Sequence, residues 1–96
     1  MASEIKFVDG KYLEYKGKPL VREGDTICYG DMNDKCILIL EILSYKKENG
    51  KDLPDDVFIQ VVDSKNQTNI LYQDSKKGLF EAFEQGIIWL EYELKK

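Results

Sequence analysis

The stretch SKKGLFEAFEQGIIWLEYELKK (75–96) decides how this chain is built. Leu79, Phe80, Phe83, Ile87, Leu90 and Leu94 recur at intervals of three and four, the period of one face of an α-helix. On a 100° wheel centred at Phe83 they fall within roughly ±60° of one another. Asp74 or Ser75 supplies a side-chain oxygen suited to an N-cap, and Lys95 and Lys96 lie where cations complement the helix macrodipole. The spacing predicts one amphipathic helix of about 18 residues closing the chain. Gly86 lies on the same apolar stripe, where glycine costs about 1 kcal/mol relative to alanine. It therefore marks a close approach of helix backbone to its neighbour. The rival pattern ends the helix at Gly86 and runs a strand over 87–94, because Ile87, Ile88 and Trp89 are strand formers.

Before residue 74 the pattern is that of short strands. Ile5 to Val8 and Lys11 to Tyr15 flank Asp9-Gly10, a two-residue hairpin signal whose positions tolerate positive φ. Lys16-Gly17-Lys18-Pro19, Glu23-Gly24-Asp25 and the run from Gly30 to Asp34 are further breaks, separating Leu20 to Arg22 from Thr26 to Tyr29. Cys36 to Tyr45 is the longest apolar segment, with both of its alternating faces mostly apolar. That predicts a central strand covered on both sides. Lys46 to Asp56, with Asn49-Gly50 and Pro54 among charges, is expected to be the longest exposed loop. Val57 to Asp63 is the next strand, Ser64 to Asn69 a polar turn, and Ile70 to Gln73 a short strand. The expected fold is one α+β domain over 1–96: a curled antiparallel meander sheet of about seven short strands packed by one C-terminal amphipathic helix. This element order is similar to the pleckstrin-homology architecture, a seven-stranded curved sheet capped by a helix that carries a tryptophan, here Trp89. The resemblance spans the whole chain in element order and rests on no sequence motif. The basic hairpin with which that family holds phosphoinositide head groups is not matched, since the first turn, Asp9-Gly10, is short and acidic.

Composition removes whole classes of function. The 96 residues hold 18 acidic and 14 basic side chains, for a net charge of −4, and no histidine. Histidine-based triads, histidine metal ligands and the usual pH switch are therefore excluded. The basic set is thirteen lysines and one arginine, Arg22. A net-acidic chain with one guanidinium is poorly suited to nucleic acid, where affinity rests on neutralising phosphates. Residues 1–22 carry five basic against three acidic groups (net +2), and residues 23–96 nine against fifteen (net −6). Two cysteines, Cys28 and Cys36, are too few for a secreted disulfide framework. No apolar run approaches the roughly 18–20 residues of a membrane span, and Met1 to Lys6 lacks an apolar signal core. The expectation is a cytoplasmic chain with reduced thiols that binds neither nucleic acid nor membrane.

Few constellations could carry chemistry. If Gly30 pairs with Cys36 around a five-residue turn, the Cys28 and Cys36 sulfurs lie diagonally on one sheet face. Both sit among apolar strand residues, where a thiol behaves as a small hydrophobe. Asp31-Met32-Asn33-Asp34, with Asp25 upstream, gathers oxygen ligands. A calcium loop starting at Asp31 would need glycine sixth and glutamate twelfth, where Cys36 and Ile42 stand. Asp55-Asp56 is expected in an exposed loop, and Glu81, Glu84, Glu91 and Glu93 fall largely off the buried stripe, so no carboxyl is buried enough to act as a general acid. The sequence thus points to no catalytic residue, no cofactor and no metal.

One surface signal remains. Opposite the core stripe, Ile88, Trp89 and Tyr92 form an apolar patch of the kind that marks a contact site, with Gln85, Glu81 and Lys96 as its rim. Tryptophan and tyrosine dominate interface hot spots. The expectation is a small non-enzymatic interaction module whose partner is another protein or a second copy of itself. Two alternatives stand beside it: an acidic inhibitor or immunity-type protein meeting a basic partner by charge, and a ligand-binding or thiol-dependent domain.

Overall fold

Alternating apolar residues build a seven-stranded antiparallel sheet, and one helix lies across it. A computed structural model describes the backbone of residues 5–8 and 12–96, and the side chains from residue 13 onward. The strands are β1 (Ile5–Val8), β2 (Tyr12–Tyr15), β3 (Lys18–Glu23), β4 (Thr26–Tyr29), β5 (Cys36–Ile42), β6 (Tyr45–Glu48), β7 (Lys51–Pro54), β8 (Asp56–Asp63) and β9 (Ile70–Lys77), followed by α1 (Leu79–Leu94). The main sheet has the order β1-β2-β3-β4-β5-β8-β9 and does not close, while β6 and β7 pair only with each other. The Asp9-Gly10 turn lies outside the described residues.

The apolar face of β5, made of Cys36, Leu38, Leu40 and Ile42, joins Val57, Ile59 and Val61 of β8 and Ala82, Ile87 and Leu90 of α1 in the core. The expected two-sided cover of β5 is realised only in part. The helix packs on one face, and on the other Ile37 and its partner Val62 are buried while Ile39 and Gln60 are half-exposed and Glu41 is exposed. Phe83 of α1 meets Tyr15 and Tyr29 with ring centroids 5.4 and 5.6 Å away, and those two rings lie 5.7 Å apart. All three contacts are edge-on, the geometry that ring quadrupoles favour. The Tyr29 hydroxyl donates to the Tyr15 carbonyl at 2.7 Å.

Two expectations about elements need correction. The expected loop 46–56 is largely a hairpin, in which Asn49 (φ 53°) and Gly50 (φ 78°) both take the left-handed conformation that a tight two-residue turn demands. The strand expected to stop at Gln73 instead runs to Lys77, because β8 extends back to Asp56 and pairs Lys77 opposite Asp56. Asp74 accepts the Ser75 N–H at 2.8 Å within the strand. The helix begins after Gly78, whose φ of 89° turns the chain, and it has no side-chain cap. Beyond Gly86 it stays helical to Leu94, so the strand alternative for 87–94 does not hold.

Gly86 explains how closely α1 lies on the sheet. A Cβ built there would stand 2.4 and 2.8 Å from the Leu38 methyls and 3.1 Å from Leu38 Cγ, and Leu38 is completely buried. Gly86→Ala gains about 1 kcal/mol of helix propensity but overpacks a core that resists such intrusion at about 1–3 kcal/mol. The expected net result is a less stable protein, read as a lower urea midpoint at unchanged slope.

Candidate functional site

Because α1 packs principally on β5, β8 and β9, the β3–β4 side of the same sheet face is left without full cover. There a groove of about 380 Å³ opens between Leu20, Ile27 and Leu40 on the strands and Leu79, Phe80 and Phe83 at the start of the helix. Every lining residue is apolar. Phe80 forms the rim and is 70% exposed, although its place in the stripe predicts a core residue.

Arg22 follows Leu20 by two positions on β3 and pairs across the ladder with Ile27, so it emerges on the groove's own face. Its Nε donates to the Gly24 carbonyl at 2.9 Å and Nη2 to the Tyr45 hydroxyl at 3.3 Å. That hydroxyl donates in turn to Asp25 at 2.6 Å. The bond to Asp25 raises the tyrosine's pKa above its ordinary value, because the carboxylate holds the phenolic proton.

The helix residues singled out in the sequence separate into two groups. Ile88 and Tyr92 face outward, 61% and 58% exposed, and the Lys96 ammonium sits 5.0 Å from the Tyr92 ring centroid. Trp89 and Gln85 are only half-exposed. The indole stacks on Tyr72 of β9, with centroids 5.6 Å apart and planes 19° from parallel, and packs against the core. Trp89 is therefore engaged within its own chain, a correction to the expectation of an uncovered ring. The physical reason is that α1 lies beside β9, which brings Tyr72 to the helix flank that carries Trp89.

The cysteines do not share a face. Cys28 is opposite Ile39, not Leu38, and a shift of one residue moves a side chain to the other side of a sheet. Cys36 lies in the core beneath α1, while Cys28 lies on the opposite face with Ile39. Burial raises both thiol pKa values, with nearby Glu23 adding to the rise at Cys28 and Glu93 at Cys36.

Among the carboxylates, Asp31 is bound into its own turn, accepting the Asn33 N–H at 2.8 Å, and Asp34 pairs with Lys18. Asp56 meets Lys77 at 2.7 Å and accepts the Ser44 hydroxyl at 3.1 Å. Lys77, and then Ser44, hold the Asp56 carboxyl below its usual range, the reverse of what a general acid needs. Among the described residues no group of three histidine, cysteine, aspartate or glutamate side chains is placed to hold a metal ion, and no helix is long and apolar enough to cross a membrane.

The chain is an α+β sheet-and-helix domain. Comparison with protein-family models, with curated proteins and with solved structures finds no match to it.

The stack predicts that Trp89→Ala acts on stability. Deleting a packed indole costs about 3–5 kcal/mol in a full core, and somewhat less for this half-buried ring. A fall in melting temperature is the expected result, with loss of the near-ultraviolet dichroism of the stacked pair. Iodoacetamide at neutral pH should modify Cys28 before Cys36, and Cys36 only as the protein unfolds.

Proposed function

We propose that this chain is a small non-enzymatic interaction module that presents the outer flank of α1 to a protein partner. The observation that supports this is the ridge Phe80, Glu84, Ile88 and Tyr92. These residues recur at every fourth position and so stand one above another along the helix. Three of the four are large apolar groups, each more than half exposed. A helix on a protein surface ordinarily turns charge outward along such a row. Here the row itself carries charge only at Glu84, and the exposed Glu81 and Glu91 lie beside it. The complementary partner is an apolar strip bordered by lysine or arginine, with the apolar contact supplying affinity and the acidic border orientation. Two free thiols, one of them fully buried, support a reducing, cytoplasmic setting.

Ile88 and Tyr92 can be changed with little harm to the fold, because neither belongs to the core. A photo-crosslinking side chain at Glu84 should capture one discrete partner, or a second copy of the chain. Ile88→Asp and Tyr92→Ser should each abolish that product, as expected for anchors worth about 2 kcal/mol or more. The same crosslinker at Lys47 on β6 should capture nothing. A chain that stays monomeric at every concentration and gives no product from position 84 contradicts the proposal.

A further inference from the structure

We propose that the groove between α1 and β3–β5 binds a small carboxylic acid with an apolar body, its head group held by Arg22. This site shares only Phe80 with the helix ridge and stands independently of Ile88 and Tyr92. Ligand pockets are typically about 300–1,000 Å³, mostly apolar, with a few placed polar groups that fix orientation. A groove of about 380 Å³ lies at the small end of that range and suits a short alkyl chain or a single ring. Leu20, Ile27 and Leu40 form its floor, Leu79 and Phe83 a wall, and the exposed Phe80 ring can close over a seated body.

The chemistry beside the groove floor selects the head group. Arg22 is the chain's single arginine, placed beside two floor residues by strand alternation and ladder pairing. A guanidinium has five N–H donors in a planar fork. Nε is committed to Gly24 and one Nη2 donor to Tyr45, which leaves the Nη1 pair and the second Nη2 donor. Donors thus remain on both Nη nitrogens, the pair with which a guanidinium can grip a carboxylate through two parallel bonds. Asp25, which shares Tyr45 with Arg22, is engaged by the Tyr45 hydroxyl, and the described residues include no Asp25–Arg22 ion pair within 4.0 Å. Tyr45 and Gly24 thus steady the guanidinium without neutralising it. A ligand of equal apolar size with a hydroxyl head would bury its body as well but forgo the charge-assisted pair.

The test uses the full chain, labelled with nitrogen-15 and carbon-13, titrated separately with octanoate and with octanol. Octanoate should shift the resonances of Leu20, Ile27, Phe80 and Arg22 Nε in one saturable step and bind at least tenfold more tightly than octanol. Arg22→Gln, an exposed change that spares the core, should remove that tenfold preference while leaving octanol binding unchanged. Phe80→Ala should weaken both ligands. Equal affinity for the two ligands, or a preference that survives Arg22→Gln, overturns the head-group assignment. Shifts confined to other parts of the chain, or no saturation, overturn the site. Tighter binding of N-acetyl-leucyl-leucine than of octanoate overturns the free acid as ligand in favour of a peptide C-terminus. None of these outcomes depends on Ile88 or Tyr92, so failure here is distinguishable from failure of the helix ridge.

Discussion

A helix roughly 10 Å across can cover only two or three strands of a sheet whose neighbours lie about 4.8 Å apart. Seven strands with one helix therefore leave part of the sheet unroofed, and where the helix comes down decides which part. Gly86 sets that position. Without a side chain there, α1 rests against Leu38 of β5, and its remaining buried residues fall over β5 and β8. Everything at the helix flanks follows from this placement. Trp89 reaches Tyr72 on β9, and Phe83 reaches Tyr15 and Tyr29 on the other side. Phe80, one turn earlier than Phe83, overhangs β3 and β4 with no strand residue close enough to bury it.

Much of this architecture was legible because burial imposes periodicity. The three-and-four spacing from Leu79 to Leu94 identified the helix through Gly86, and the apolar run at 36–45 identified the central strand, although that strand ends at Ile42 and Tyr45 opens the next one. Turn chemistry located the breaks, since left-handed positions at Gly17, Gly24 and Asn49-Gly50 leave plain residue signatures. The boundary at 74–78 was misplaced for an equally physical reason. Asp74 and Ser75 are good helix caps in isolation, but pairing with β8 as far as Asp56, together with the Lys77–Asp56 contact, holds them in the sheet. Tertiary pairing outweighed local propensity.

The side-chain surroundings were less legible because they depend on register and on which neighbour a flank meets. Nothing in the order of residues distinguishes Cys28 opposite Leu38 from Cys28 opposite Ile39, yet that one-residue difference sends the two thiols to opposite faces. A helical wheel likewise reports only the angle of Trp89 from the core stripe. It carries no information about β9 and so could not show that Tyr72 stands there. The groove was hidden by the same limit: Leu20, Ile27, Leu79 and Phe80 lie far apart in sequence, and each taken alone reads as core.

Phe80 links the two surfaces. A phenylalanine beside apolar space would ordinarily turn into it, because burying such a ring is worth about 1.5–3 kcal/mol. It does not fill the groove here because it lies at the margin of the apolar stripe, roughly 60° from Phe83 on the helix wheel, which aims it along the wall. Phe83 cannot take its place, being held by two tyrosines that are themselves tied by the Tyr29–Tyr15 hydrogen bond. The aromatic cluster that anchors α1 thus also keeps the groove from collapsing. Any apolar body seated there would complete the burial of Phe80 and stabilise the folded chain by mass action, coupling occupancy of the groove to the shape of the ridge that begins with the same ring.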